Sequence, residues 1–207
     1  MDSSSNDFAT AVAHFQAGRM EAASSICVAI LIRHPKHAGA LRMQGLIALR
    51  SDRVDTAIES LAKAVRAGGE DAQILSELGF AYLKADQLKK AADTFRRLVK
   101  LAPDVADGHN YLGTAYRRLN RFDDAVVSYR RAIELRPDFA EALLNLGVAL
   151  QAQKCLEEAL RSYKRALELA PSTARFIALN LSGASKGMLW LDPENLHRHL
   201  NSLVGDE

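Results

Sequence analysis

Along residues 122–135 the apolar side chains Ala125, Tyr129, Ala132 and Ile133 fall at i, i+4, i+7 and i+8. That spacing draws one stripe along a helix and leaves the opposite face polar. A similar amphipathic stretch precedes it, and the pattern predicts helices over about 106–119 and 122–135 joined by a short turn. Pro137 stands just beyond the second stretch, where proline ends a helix.

The whole pattern then recurs. Pro103, Pro137 and Pro171 lie 34 residues apart, and the residues between them recur with them. Before Pro137 come Leu112-Gly113, Tyr116, Ala125, Tyr129 and Ala132. At the same offsets before Pro171 stand Leu146-Gly147, Leu150, Ala159, Tyr163 and Ala166. Before Pro103 they are Leu78-Gly79, Tyr82, Ala91, Phe95 and Leu98. A fixed period of this size marks one helix-turn-helix unit copied along a solenoid. Five units follow: 4–37, 38–71, 72–105, 106–139 and 140–173, after a disordered start at 1–3. The second unit lacks the closing proline and has Gly68-Gly69 in that region.

Small residues return where helices must approach. Gly45, Gly79, Gly113 and Gly147 share one offset in the first helices, with Ala11 in the first unit. Glycine inside a helix costs about 1 kcal/mol relative to alanine, so its return requires a packing reason. The expected partners are Ala23, Ala57, Ala91, Ala125 and Ala159, at one offset in the second helices. Gly18, Asp52, Asp86 and Asn120 occupy the turns and tolerate left-handed backbone, whereas Lys154 departs from the pattern. Two residues later Met20, Val54, Leu88, Phe122 and Leu156 begin the next helices.

Residues 174–207 leave the period. Phe176, Ile177, Leu179 and Leu181 predict one more helix on the fifth unit. After the break at Ser182-Gly183-Ala184-Ser185-Lys186-Gly187, Asp192-Pro193-Glu194 reads as a helix start. Leu196, Leu200, Leu203 and Val204 would form its apolar stripe, and Trp190 would pack between the two helices. The segment is expected to cap the solenoid, or else to dock a partner or a second copy.

Composition narrows the function. The chain has 207 residues, 48% hydrophobic and 25% charged, with 27 basic against 25 acidic residues. A net charge of +2 gives no argument for nucleic acid or a membrane surface. No apolar run approaches a bilayer span, and the polar start Met1-Asp2-Ser3 is unlike a secretory signal, so a cytoplasmic location is expected. No phosphate loop, catalytic signature, zinc spacing or calcium loop is present, so neither enzyme activity nor a cofactor is expected. The histidines, including His34, His37, His197 and His199, are not spaced as metal ligands. Cys27 takes the place of Leu61, Phe95, Tyr129 and Tyr163 and reads as a core residue; Cys155 falls in a turn and is expected to be exposed.

The repeated Leu-Gly, Tyr, Ala, Tyr, Ala and Pro at this spacing resemble the tetratricopeptide (TPR) repeat, over about residues 4–173. The resemblance implies an all-α fold: a right-handed superhelical α-solenoid of TPR units with a helical C-terminal cap. It implies that first helices line a concave groove holding a partner peptide. The positions so implied are Arg42, Met43, Leu46 and Arg50 in the second unit, then Gln73, Glu77, Phe80 and Lys84 in the third. The fourth unit adds Asn110, Tyr111, Thr114, Arg117 and Arg118, and the fifth Glu141, Leu144, Asn145, Val148 and Gln151. Leu46, Phe80 and Val148 would make an apolar floor, and Arg50, Lys84 and Arg118 a basic edge. Such a surface suits a partner with hydrophobic anchors and acidic residues.

Two subclasses of the family fit poorly. The carboxylate clamp of chaperone-tail binders draws on a pair of Lys, Asn and Arg residues, and neither Phe8 with Val12 nor Arg42 with Leu46 supplies one. The asparagine ladder of O-linked N-acetylglucosamine transferases is matched only by Asn145, with Ala9, Met43, Glu77 and Tyr111 elsewhere. The leading expectation is a non-catalytic interaction scaffold. Its alternatives are a self-assembling structural protein, or an accessory subunit of a glycosyl- or sulfotransferase system.

Overall fold

The computed structural model describes residues 3–184, which divide into two compact units at Pro103. Trp190 and the amphipathic segment after Asp192 lie outside the described residues. All regular structure within 3–184 is helical. The first unit contains α1 (Ser3–Gln16), α2 (Met20–Arg33), α3 (Ala38–Arg50), α4 (Val54–Gly68), α5 (Ala72–Lys84) and α6 (Leu88–Leu101). Helix α1 already starts at Ser3, so the disorder expected for residues 1–3 does not include that residue. The second unit contains α7 (Ala106–Arg118), α8 (Phe122–Leu135), α9 (Ala140–Ala152), α10 (Leu156–Leu169) and α11 (Ala174–Ala184), with a 3-10 turn at Pro171–Thr173 before α11.

Within each unit consecutive helices pack antiparallel, and one turn geometry serves every hairpin. Asp52, Asp86, Asn120 and Lys154 have φ of 55°, 56°, 58° and 65°, and Gly18 has 75°. The N–H three places past the last helical residue donates five residues back: Arg53 N to Ala48 O at 2.8 Å, Gln87 N to Tyr82 O and Arg121 N to Tyr116 O at 2.9 Å. This closes the first helix with a left-handed residue and satisfies its last carbonyls. Lys154 adopts the same conformation without a residue type that favours it, because the bond from Cys155 N to Leu150 O is made there too, at 3.0 Å.

The prolines act through the residue before them. His34, Ala102, Arg136 and Ala170 all leave the helical region, with φ between −133° and −144°. Proline disfavours helical backbone in its predecessor, so the helices stop there. Without a proline, α4 runs on to Gly68 and ends on Gly69, whose φ is 82°.

The core differs from expectation in one respect. The nearest neighbours of the repeated glycines are large side chains rather than the repeated alanines. A Cβ on Gly45 would lie 2.5 Å from Leu61, on Gly79 2.5 Å from Phe95, on Gly113 2.7 Å from Tyr129 and on Gly147 2.5 Å from Tyr163. Each glycine therefore makes room for the large side chain one turn beyond the alanine. The alanines Ala57, Ala91, Ala125 and Ala159 are themselves fully buried. In the first hairpin the sizes are exchanged: Ala11 stands for glycine and the smaller Cys27 for the ring, both fully buried in one cluster.

At the end of the second unit, α11 buries Ile177, Ala178 and Leu181 and exposes Phe176 and Leu179. Gln151 Nε2 donates to Asn180 O at 2.9 Å, tying α9 to α11.

Candidate partner-binding surface

The first helices are neighbours within each unit: α3 touches α1 and α5, and α7 touches α9. Their shared faces carry the sequence-predicted groove residues. On α3, Arg42 and Leu46 are half-buried, Arg50 is exposed and Met43 is buried. On α5, Gln73, Phe80 and Lys84 are exposed and Glu77 is half-buried. In the second unit Arg118 and Glu141 are exposed, Tyr111, Thr114, Arg117, Leu144, Asn145, Val148 and Gln151 are half-buried, and Asn110 is buried.

Met43 and Asn110 therefore depart from the expected surface role. Met43 is 7% exposed and belongs to the apolar cluster of α1–α3, with Phe8 packed against that cluster. Asn110 is fully buried because its amide is used internally: it donates to Glu141 Oε1 and accepts from Asn145 Nδ2, both at 3.1 Å.

Those bonds expose an arrangement that single-repeat reasoning missed. Arg42 meets Glu77 thirty-five residues on, through Nε at 2.8 Å and Nη2 at 2.5 Å. Asn110 meets Asn145 at the same separation of 35. One offset of a first helix thus reaches the next offset of the following first helix. Searching for complementary polar residues one repeat plus one residue apart would have found both rungs. The bond to Glu77 holds the Arg42 guanidinium pKa above its ordinary value, against the opposing effect of burial. These rungs consume polar groups that would otherwise face a ligand.

What remains open is chemically mixed. Phe80 is 43% exposed and stands one helical turn from Lys84. Lys84 Nζ donates to Asp52 Oδ1 at 2.7 Å, and this ammonium holds the Asp52 carboxyl below its usual range. The Arg50 guanidinium lies 5.4 Å from the Phe15 ring centroid. Exposed pairs of this kind are worth little in water, so a partner's carboxylate can replace Asp52 at little loss.

In the second unit the core reaches up to the surface. The Tyr129 hydroxyl donates to Thr114 Oγ1 at 3.2 Å, and the Tyr163 hydroxyl to Gln151 Oε1 at 2.9 Å. Burial pushes both phenol pKa values up, and the positive charge of Arg117 opposes that rise. Burial, together with Asp107 and Glu141, also raises Tyr111. These contacts fix the orientation of Thr114 and Gln151.

Among the described residues no group of histidines, cysteines and carboxylates is placed to hold a metal ion. No helix there is long and apolar enough to cross a membrane.

Helix hairpins stacked at a constant period, with polar rungs linking successive first helices, define an α-solenoid repeat protein. Tetratricopeptide repeat profiles match residues 8–72 and 42–106, then 113–154 and 140–173; the chain belongs to the tetratricopeptide repeat family. No curated protein matches the chain significantly. Among solved structures, a crystal structure of MamA is 26% identical with a TM-score of 0.73, covering 79% of this chain and 96% of that one. YrrB, described as a TPR protein with an unusual peptide-binding site, is 22% identical with a TM-score of 0.76, covering 86% and 90%. MamA from Desulfovibrio magneticus RS-1 is 18% identical with a TM-score of 0.77, covering 83% and 97%.

Proposed function

We propose that this chain is a non-catalytic interaction scaffold that holds a partner segment on its first-helix faces. The repeat fold supports the coarse reading, since such units present surfaces rather than enclosed pockets. The peptide-binding site named for YrrB is of the same fold. The observation that carries the finer reading is the α3–α5 face, where exposed Phe80 adjoins Lys84 and the neighbouring first helix ends in Arg50. An extended or helical segment with one apolar anchor and flanking carboxylates fits that combination. The anchor would lie on Phe80 and Leu46, while its carboxylates would displace Asp52 from Lys84 and pair with Arg50. Electrostatic attraction would mainly speed association, and the anchor would slow release.

The test is affinity capture from lysate with quantitative mass spectrometry, comparing the wild type with Phe80→Asp/Arg50→Glu/Lys84→Glu. All three positions are exposed, so circular dichroism should show an unchanged fold. The expected result is loss of the captured partners. Capture of the same set at the same level would overturn the assignment of this face.

A further inference from the structure

Helix α2 breaks a charge pattern that the other second helices keep. Ala29 stands, at successive steps of the repeat, where Lys63, Arg97, Arg131 and Arg165 stand in α4, α6, α8 and α10. Ile32 stands where they have Arg66, Lys100, Glu134 and Glu168. No residue between Ala22 and Ile32 is charged. These are solvent positions in α2 as well: Ile32 is 76% exposed and Val28 44%. The face is thus an apolar strip where its own repeats place ions. Beside it, Val28 borders a surface cleft of about 600 Å³ lined also by Met20, Ile47 and Arg53.

The strip is complementary to itself. Its large residues, Val28 and Ile32, alternate with the small Ser25 and Ala29, and Ser25 folds its hydroxyl onto Glu21 O at 2.9 Å. When two copies of α2 run antiparallel about a two-fold axis between Val28 and Ala29, Val28 meets Ala29 and Ile32 meets Ser25. Lys36 stands in the turn just past the end of α2, where its long side chain can reach Glu21 of the other copy; both are exposed. Large meets small at both steps of the strip, and one acid–base pair flanks it on each side, which is the self-complementarity an isologous interface requires. Arg33, the charge at the end of the helix, is turned onto Asp7 of α1 at 2.5 Å.

We propose that the outer face of α2 is a homodimer interface, formed by antiparallel packing of α2 from two copies of this chain. The interface is separate from the first-helix faces. A strip on a 14-residue helix is about 21 Å long, which is short of the roughly 800 Å² per partner of a standard interface. The dimer is therefore concentration-dependent.

Sedimentation equilibrium of the full chain over a wide concentration range tests this. The weight-average mass should rise toward twice that of the chain, while Val28→Glu/Ile32→Glu stays monomeric with an unchanged circular dichroism melt. Glu21→Lys should weaken dimerisation by at least about tenfold, and Glu21→Lys/Lys36→Glu should restore it. A wild type that is monomeric throughout overturns the proposal. So does a dimer that survives Val28→Glu/Ile32→Glu, or a double charge reversal no tighter than the single one. The Phe80→Asp/Arg50→Glu/Lys84→Glu protein should dimerise like the wild type, which separates this proposal from the partner-binding reading.

Discussion

A methyl group on Gly113 would have to occupy space held by the Tyr129 ring, whose nearest carbon would be 2.7 Å away. The ring is fully buried and its hydroxyl is bonded to Thr114, so it has little freedom to yield. Gly113→Ala should destabilise the protein by about 1–3 kcal/mol, the usual range for overpacking, as read from urea denaturation. A neutral or stabilising effect, as helix propensity alone would give, would contradict this packing. Lys154 presents the reverse case. Its φ of 65° places a Cβ-bearing residue in left-handed backbone, so Lys154→Gly should stabilise by about 1 kcal/mol, measured the same way. Cys27 is fully buried, and burial pushes its thiol pKa up to about 11. Native protein at neutral pH should therefore take one equivalent of a thiol reagent, at exposed Cys155, and two after denaturation. Because the folded-state pKa is raised, the contribution of Cys27 is intact below the ordinary thiol value of 9.0 and is lost as pH rises from there toward about 11.

At the scale of the element, the exchange of sizes in the first hairpin is a compensated pair. Cys27→Tyr alone should destabilise, since Ala11 has the Cβ that the other first helices omit. Adding Ala11→Gly should recover part of the loss, and a double-mutant cycle in urea gives the coupling. Strict additivity would mean that the two positions do not share a cavity. The hairpins were legible in the sequence because helix period, turn residues and proline all pointed to the same boundaries, down to the first residue of α4, α6, α8 and α10. The large side chain nearest each glycine was not legible. A one-dimensional pattern pairs small with small, whereas packing in three dimensions set Gly113 against Tyr129.

At the scale of the whole molecule, each compact unit displays its own first-helix surface. First-helix positions were identified by offset, and most of them reach solvent. Met43 and Asn110 do not, because each is drawn inward by a neighbour in an adjacent helix that no single repeat contains. Arg42 and Glu77 were read as ligand groups and are instead bonded to each other. The outer strip of α2 was in the sequence throughout, but it stood out only after its positions were shown to be solvent-facing.

The most direct test of the scaffold reading is hydrogen exchange by mass spectrometry, on the full chain alone and then with a captured partner. The account predicts that the partner slows exchange in α3 and α5 of the first unit, and in α7 and α9 if the second unit also engages. It predicts little change in α4, α6, α8 and α10. Protection confined to those second helices, with α3 and α5 unaffected, would contradict it.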